Sequence, residues 1–475
     1  MSPRRSAGHD GAHERAHITD SRFYAHAYAT DASRRIFCDV CRYQRWLDIE
    51  AALALAQAEL GLVPVEQAER IAAAAQVERL DLELVRREIR RTGHSLVAFL
   101  RALQDACEDG AGEFIHYGAT TQDIQDTGQA MEMGEVLHEA ERELAAIVAI
   151  LAPLARSHAE TLIVGRSHAR AALPMTFGLK VAGWLDELLR HAERLEECAS
   201  RVVVAQLFGG VGTMAGFGDH GEALLERFAH RLGLGVPALC WHVARDRVAE
   251  YVSTLAALSG TLARILDEVR TLSRPELGEL EEAWRPGKVG SSTMPHKRNP
   301  EECQQVVVLA RLAAAQVPLA LQAMIGEHER DSRSLRLEWP MVADVSHYAL
   351  AALAISGPIL GGLVVHEDVM AANAEDSAGA VCSESLMLAL GDHIGKQSAH
   401  TLVYELCQEA QNRNLPLRQH LRAAPAVRKH LGDEELARIF EPSRYVGRAP
   451  ELATRTAERA ERWLAARQPE EKLVA

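Results

Sequence analysis

Long helical patterns of apolar residues constrain the fold of this chain more than any other feature of its sequence. Apolar side chains recur at helical spacing over runs much longer than the mean globular helix of about 11–12 residues, and strand patterns are scarce. These runs cover residues 36–60, 124–159, 174–205, 247–272 and 303–325. Apolar stripes of this length are buried in bundles, and they usually require partner helices from other subunits. We therefore expect an all-α fold built around a long-helix bundle.

The 475 residues are enough for several domains. We expect a flexible tail over residues 1–20, an N-terminal helical domain over 21–123, a central long-helix bundle domain over 124–372 and a C-terminal helical domain over 373–475. The tail is polar and rich in histidine, which is not the pattern of a signal peptide.

Charge and cysteine usage exclude several classes of protein. The formal net charge of −14 argues against a nucleic-acid-binding protein or one that binds anionic membranes. Residues 348–365 carry no charge, but Gly357 and Pro358 interrupt them, so we expect a buried helix that ends there. The eight cysteines are scattered, and the Cys38–Cys41 pair lacks further zinc ligands nearby. Reduced thiols and a cytoplasmic location fit this pattern.

One loop carries an unusual concentration of chemistry. Residues 290–300 read GSSTMPHKRNP, in which glycine and proline predict a loop within a helical chain. Lys297 offers a point charge, and Asn299 offers amide donors. Ser291 could act as a base if its environment lowers its pKa. This combination suits a site that acts on a carboxylate. We refer to residues 287–300 as the signature loop.

A second segment, HYGATTQD at residues 116–123, predicts an anion site. Thr120 and Thr121 follow a glycine at the start of a predicted helix, where hydroxyls and unpaired backbone N–H groups attract negative charge. A third segment, GRSHAR at residues 165–170, contains His168 near the start of a predicted helix. Histidine suits proton transfer near neutral pH, and Arg170 could bind a carboxylate or nitro group through two hydrogen bonds.

In this order, the three segments resemble the motifs of the fumarase/aspartase superfamily, and the resemblance spans roughly residues 27–460. It implies homotetrameric, all-helical lyases that work by β-elimination, commonly release fumarate and require no metal or organic cofactor. By the same resemblance, Ser291 is the base, and Thr121 binds a carboxylate of the substrate. His168 either takes part in the acid side of the reaction or binds substrate. Lys297 and Asn299 would hold the carboxylate next to the departing proton. The implied partners are a small dicarboxylate and other copies of the chain, with active sites shared between subunits.

Two further residues come from the adenylosuccinate lyase branch. His94 lines up with a histidine that contacts substrate in those enzymes, although a histidine on a helix surface would fit the sequence nearly as well. Arg330 lies in the segment HERD at residues 328–331, which is similar to adenylosuccinate lyases. We include both among the expected substrate-binding residues, together with Thr120 and Arg170.

Residues that differ from those of the adenylosuccinate lyase and cycloisomerase branches favour a substrate without a phosphate group. The position of one nucleotide-binding arginine of adenylosuccinate lyases is Ala27, and that of a phosphate-binding arginine is Trp339. Glu338 and Trp339 look like 3-carboxy-cis,cis-muconate cycloisomerase, but that enzyme typically lacks the histidine that His168 provides. Adenylosuccinate lyase and the cycloisomerase both remain alternatives.

The residue expected to pair with His168 also differs from the family pattern. Relatives often place a glutamate at the position of Gln304, where it pairs with the histidine. A neutral glutamine would not raise the histidine pKa, so a leaving group that departs as a stable anion would suit this chain. Together with Arg170, this resembles nitrosuccinate lyases of secondary metabolism, which split 2-nitrosuccinate into fumarate and nitrite. An inactive, crystallin-like structural protein is the alternative from another class.

Overall fold

The computed structural model describes residues 17–285 and 287–467. Helices account for 70% of these described residues and strands are few among them, which confirms the predicted all-α class. The α-helices are α1 Asp31–Phe37, α2 Asp39–Glu59, α3 Val65–Ala74, α4 Leu82–Thr92, α5 Ser95–Ala106, α6 Thr121–Ser157, α7 Phe177–Val202, α8 Gly221–Leu232, α9 Asp246–Leu272, α10 Glu301–Ala314, α11 Val317–Ala323, α12 Ser332–Gly361, α13 Glu367–Asp376, α14 Ala378–Val381, α15 Ser383–Ile394, α16 Lys396–Asn412, α17 Leu417–Ala423, α18 Pro425–Arg428, α19 Asp433–Ile439 and α20 Ala449–Ala465.

Short elements connect these helices. The 3-10 helices are Ile18–Asp20, Ala25–Ala27, Val77–Arg79, Ala111–Phe114, Ala215–His220 and Pro442–Tyr445. The strands are β1 Leu162–Ser167, β2 Arg170–Thr176, β3 Leu280–Glu281 and β4 Val364–Val365. They form two antiparallel pairs, β1 with β2 and β3 with β4.

The described residues form two compact units. Unit 1 comprises residues 17–143, 191–262 and 308–354, and unit 2 comprises residues 144–190, 263–307 except 286, and 355–467. The expected division into three sequential domains stays a prediction. Most of the expected tail lies outside the described residues, and its last three residues form the 3-10 helix Ile18–Asp20.

The longest predicted helices are present. Helix α6 runs for 37 residues from Thr121 and continues through Pro153, and α9 matches the predicted run 247–272. The predicted run 36–60 is split, because residue Cys38 is extended and its sulfur accepts a hydrogen bond from the Cys41 N–H over 3.3 Å, which caps α2. The run 303–325 is likewise split into α10 and α11.

The uncharged segment 348–365 corrects one expectation. Helix α12 does not end at Gly357 and Pro358 but continues through them to Gly361. By length and composition, Ser332–Gly361 and Glu301–Ala323 could each cross a membrane. The most apolar part of the first is 67% buried inside the protein, as expected for a core helix, whereas that of the second is only 33% buried.

Each unit has its own apolar core. In unit 1, Phe99 stacks on Tyr43 and meets the edge of Trp46, with ring centroids 5.7 Å apart in both pairs. A Cβ atom on Gly128 of α6 would lie 2.9 Å from the Trp46 indole nitrogen, so glycine allows α6 to pass close to α2. In unit 2, Val164 of β1 joins a cluster formed mainly by the C-terminal helices. These contacts fix the first turns of α6 and the base of the β1–β2 hairpin.

Candidate active site

The predicted anion segment lies where α6 begins, as the sequence indicated. Thr121 is the first residue of α6, and the Thr120 N–H donates to the Asp123 carboxylate over 2.9 Å. A side chain at this position of the first turn satisfies a backbone donor that the helix itself leaves unpaired. Thr120 and Thr121 are partly exposed, so their hydroxyls remain within reach of an anion.

Asp123 is the centre of a buried hydrogen-bond network in unit 1. Its carboxylate accepts from the backbone N–H groups of Phe208 and Gly209, over 3.0 and 2.9 Å. It also meets Nε2 of His242 over 2.9 Å, and both of these side chains are fully buried. The network joins the anion segment to the loop at residues 208–212 and to His242.

His242 has a second partner on its other ring nitrogen. Its Nδ1 lies 3.0 Å from Sγ of Cys240, which is partly exposed. Burial lowers the pKa of His242, but the hydrogen bonds to Asp123 and Cys240 outweigh that effect and raise its pKa to about 9. The imidazole is therefore protonated at neutral pH, and both ring N–H groups donate.

Arg330 is joined directly to the anion segment. Its Nη1 donates to the Thr120 hydroxyl over 2.6 Å and to the Gly210 carbonyl over 3.3 Å, and its Nε donates to the Gln122 side chain over 3.3 Å. The turn that presents it contains His328 at a φ of 58°, a backbone conformation that is uncommon for a residue other than glycine. The structure therefore brings together two of the predicted substrate-binding residues, Thr120 and Arg330.

A cavity of about 500 Å³ opens beside this pair within unit 1. His94 lines it and also caps α5, because its Nδ1 accepts from the Val97 N–H over 3.3 Å. Thr121, Arg330 and Trp339 line the cavity as well. Arg336 is a lining residue that the sequence reasoning missed, since it considered only the position of Trp339 as a replacement for an arginine.

The sequence also gives no indication of a buried ion cluster in unit 1. Arg245 donates to Asp126 over 2.9 and 3.0 Å and to Glu338, and Gln129 donates to Glu338 over 2.8 Å. Removing one partner from such a cluster leaves an uncompensated buried charge, which typically costs about 3–5 kcal/mol. The cluster therefore holds parts of α6 and α12 at fixed positions around the cavity in unit 1.

The GRSHAR segment forms the β1–β2 hairpin of unit 2, which corrects the expectation that His168 lies near a helix start. The two turn residues, His168 and Ala169, have φ values of 50° and 62°, as a two-residue type I′ turn requires. A left-handed conformation outside glycine costs about 1–3 kcal/mol, and such positions cluster at functional sites. His168 and Arg170 are both exposed at this tip.

An ion pair anchors the hairpin just below its tip. Arg166 donates through two nitrogens to Glu279, over 2.6 and 2.8 Å, and Glu279 is fully buried. Asn373 also donates to Glu279 over 2.9 Å. These bonds fix the strands below the tip, so the position of His168 is determined by packing rather than by the turn alone.

The signature loop places its predicted base among backbone donors. Ser291 Oγ accepts from the N–H groups of Thr293 and Met294, over 3.3 and 3.0 Å. Donors aimed at an oxygen stabilise negative charge on it. The serine is partly exposed, so it can also meet a substrate.

The ends of the signature loop are tied together. Asn299 donates to the Gly290 carbonyl over 2.5 Å, and a Cβ atom on Gly290 would lie 2.1 Å from the Lys297 carbonyl oxygen. Only glycine fits this approach. Lys297 itself is exposed, and Asn299 lines a second cavity of about 150 Å³ in unit 2, together with Glu281, Trp284, Arg298 and His366.

Of the predicted site residues in unit 1, His94, Thr121 and Arg330 line one cavity, and Thr120 is hydrogen-bonded to Arg330. Unit 2 holds His168 and Arg170 on the hairpin and Ser291, Lys297 and Asn299 on the signature loop. Gln304 is exposed on α10. Across residues 17–285 and 287–467, no group of three or more histidine, cysteine or acidic side chains is arranged to hold a metal ion.

Two family models match the chain. Residues 25–319 match a family described as lyase, and residues 379–456 match the adenylosuccinate lyase C-terminus.

More than nine tenths of the chain resembles lyases of different specificity. It is 38% identical to an N-acetyl-S-(2-succino)cysteine lyase from Dickeya dadantii, over 92% of this chain and 96% of that protein. It is 35% identical to a nitrosuccinate lyase from Streptomyces davaonensis, over 93% of this chain and 95% of that protein. The crystal structure of 3-carboxy-cis,cis-muconate lactonizing enzyme from Pseudomonas putida superposes with a TM-score of 0.85 at 33% identity, covering 93% of this chain and all of that one.

Proposed function

The chain belongs to the fumarase/aspartase superfamily of lyases and acts on succinyl-type substrates, and on this premise we propose that it splits 2-nitrosuccinate into fumarate and nitrite. The reaction is a β-elimination. A base removes a proton from the CH₂ carbon, the electron pair of that C–H bond forms the C=C bond, and the C–N bond breaks with its pair leaving on nitrite.

Ser291 is the proposed base. A serine hydroxyl is a weak base unless its alkoxide is stabilised. The Thr293 and Met294 N–H groups that point at Oγ supply part of that stabilisation. Closure of the signature loop over the substrate would exclude water and strengthen these interactions.

Charge develops on the carboxylate next to the departing proton, and cations and dipoles must meet it. Lys297 is exposed on the same loop as Ser291 and supplies a positive charge. Asn299 has two amide hydrogens, of which one holds the Gly290 carbonyl, so the other is free to donate. In our proposal these two residues bind that carboxylate, and Thr120, Thr121 and Arg330 of another subunit bind the other.

The neutral side chain of Gln304 is the observation that supports nitrite as the leaving group. It is neutral and exposed where relatives of this superfamily often place a carboxylate beside the histidine. His168 then lacks the partner that would hold a proton for a poor leaving group. Nitrite is the anion of a fairly strong acid and departs without protonation. Arg170, exposed on the same hairpin as His168, would bind the nitro group through two hydrogen bonds.

A second candidate substrate is a succinyl thioether. The similarity to an N-acetyl-S-(2-succino)cysteine lyase favours it. A thiolate, whose parent thiol has a pKa of about 8.5, also departs more readily than an amine. The 500 Å³ cavity lined by Arg330 and Arg336 has room and positive charge for a leaving group that carries its own carboxylate.

Adenylosuccinate lyase, the cycloisomerase and an inactive structural protein are the other functions to be tested. Arg336 supplies a cation in the cavity that could meet a phosphate, so adenylosuccinate remains a substrate to be assayed. The likeness to the lactonizing enzyme keeps 3-carboxymuconolactone among them. An inactive structural protein would turn over none of these compounds.

The test is a parallel assay of the full-length protein with 2-nitrosuccinate, N-acetyl-S-(2-succino)cysteine, adenylosuccinate and 3-carboxymuconolactone. Fumarate is followed by its ultraviolet absorbance, and nitrite and free thiol by colour reactions. Preference for 2-nitrosuccinate supports the proposal. Preference for the thioether replaces it with the second candidate, and turnover of none contradicts the lyase function itself.

We further propose that the protein is a cytoplasmic homotetramer whose active sites are shared between subunits. Exposed apolar side chains on and next to α11 support this, since Leu321 is 54% and Ile325 is 80% exposed. Apolar surface of this kind is usually covered by a partner. Light scattering that shows a fully active monomer would contradict the proposal.

A further inference from the structure

A cysteine, a histidine and an aspartate form a line of contacts in unit 1 that the proposed elimination does not use. Cys240 Sγ lies 3.0 Å from Nδ1 of His242, whose Nε2 lies 2.9 Å from Asp123. The order is that of an activated thiol: a sulfur, a cationic ring that donates to it, and a buried carboxylate that orients the ring. Cys240 is partly exposed, whereas His242 and Asp123 are fully buried.

We propose that Cys240 is a modification site that small peroxide-class oxidants convert to sulfenic acid, and that this oxidation disturbs the anion site beside it. The proposal concerns a residue outside the elimination chemistry, so its first part does not depend on the identity of the substrate.

The oxidation step balances without another reactant. The attacking species is the thiolate form of Cys240, whose sulfur attacks one oxygen of the peroxide beside the His242 ring. An S–O bond forms as the O–O bond breaks, and the sulfur is oxidised by two electrons. The departing hydroxide takes the proton that His242 holds and leaves as water. His242 is then neutral, and Cys240 carries a hydroxyl on its sulfur.

The surroundings leave little room for the added oxygen. A Cβ atom on Gly212 would lie only 3.2 Å from Cys240 Sγ, so the backbone of the 208–212 loop packs directly against the sulfur. An oxygen added on the side of the sulfur that faces Gly212 must displace either the loop or the cysteine. The oxidation therefore acts on a segment that also holds the anion site.

The 208–212 loop makes three hydrogen bonds with that site. Its Phe208 and Gly209 N–H groups donate to Asp123, which accepts from the Thr120 N–H, and its Gly210 carbonyl accepts from Arg330. A shift of the loop would weaken both Asp123 and Arg330 as supports for the anion segment. We therefore expect oxidation to weaken binding of a dicarboxylate.

Cys407 provides an internal control. It is also partly exposed, but burial raises the pKa of its thiol, and the described contacts give it no cationic partner. The full-length protein is exposed to dilute hydrogen peroxide, sulfenic acid is trapped with dimedone, and labelled peptides are located by mass spectrometry. We expect Cys240 to react about tenfold faster than Cys407, since the imidazole nitrogen 3.0 Å from its sulfur can protonate the departing hydroxide. Equal rates at the two cysteines would overturn the proposal.

Two variants test the mechanism. His242→Asn should slow labelling of Cys240 to the rate of Cys407, and an unchanged rate would refute the role of the imidazolium. Cys240→Ser should bind fumarate normally and keep that binding after peroxide, whereas the wild type should lose it about tenfold and regain it with dithiothreitol. If the variant loses binding as the wild type does, the oxidation acts elsewhere. If His242→Asn does not fold, the wild-type comparison of Cys240 with Cys407 still decides the first part.

Discussion

Arg330 donates a hydrogen bond of 2.6 Å to the hydroxyl of Thr120, across 210 residues of sequence. The bond ties the arginine to the first turn of α6, and together these groups form an anion site. Both groups can donate to a carboxylate, and they line or border the same cavity of unit 1. This pair is the strongest structural support for a dicarboxylate substrate.

Replacing Arg330 should therefore weaken substrate binding. We expect Arg330→Ala to lower kcat/KM by about tenfold to a hundredfold, because hydrogen bonds to charged groups contribute about 1.5–3 kcal/mol. The matched control is Arg333→Ala, since Arg333 pairs with Asp331 and Glu327 at an exposed position. Steady-state kinetics on both variants measure the effect. Equal losses in the two would show that Arg330 has no direct role.

Removing the proposed base should abolish turnover without affecting the fold. We expect Ser291→Ala to lower kcat by about 10²–10⁴-fold, the usual contribution of a general base. Ser292→Ala, at the exposed neighbouring position, is the control and should keep most of the activity. Thermal unfolding should give the wild-type Tm for both variants. A fully active Ser291→Ala protein would assign the base to another residue.

The missing carboxylate at Gln304 makes a separate prediction. If nitrite leaves without protonation, Gln304→Glu should change kcat on 2-nitrosuccinate by much less than the factor of about 10²–10⁴ that general acid catalysis typically contributes. The same variant should gain relatively more on a substrate with an amine leaving group. Parallel kinetics on 2-nitrosuccinate and adenylosuccinate compare the two. A large gain on 2-nitrosuccinate would contradict our account of the leaving group.

His242 should make the stability of the protein depend on pH. Its pKa rises from 6.5 to about 9 on folding, so the folded state binds the proton more tightly than the unfolded state. The resulting stabilisation is complete below about pH 6.5, where both states are protonated, and is lost as pH rises through about 9. Its size is about 3 kcal/mol at most.

Urea unfolding of the wild type and of His242→Gln at several pH values measures this contribution. The difference in unfolding free energy between the two proteins should shrink as pH rises toward the alkaline limit. A difference that stays constant, or grows with pH, would show that His242 is neutral in the folded protein.

The helices could be predicted from sequence because their periodicity is a local property. Thr121 begins α6 as the Gly-Ala-Thr-Thr pattern indicated, and α9 matches its predicted run. The β1–β2 hairpin could not be predicted, because residues 162–176 contain apolar runs that fit a helix and a strand equally well. The sequence also gives no sign of the positive φ values of His168 and Ala169, because neither residue is a glycine.

Contacts distant in sequence explain the remaining misses. Asp123 belongs to the HYGATTQD segment, but its partner His242 lies 119 residues away, and nothing local to either residue indicates the pair. Arg336 was missed because the comparison with relatives considered one position, Trp339, whereas a helix presents neighbouring turns to the same cavity. The chemistry-bearing residues were visible in sequence, but their grouping required the fold.

The most direct test of the central claim is the stoichiometry of the products formed from 2-nitrosuccinate by the full-length protein. Our account predicts fumarate and nitrite in equal amounts, with 2-nitrosuccinate preferred over the thioether and over adenylosuccinate, and loss of both products in Ser291→Ala. Fumarate released from another succinyl compound, with no nitrite from 2-nitrosuccinate, would contradict it.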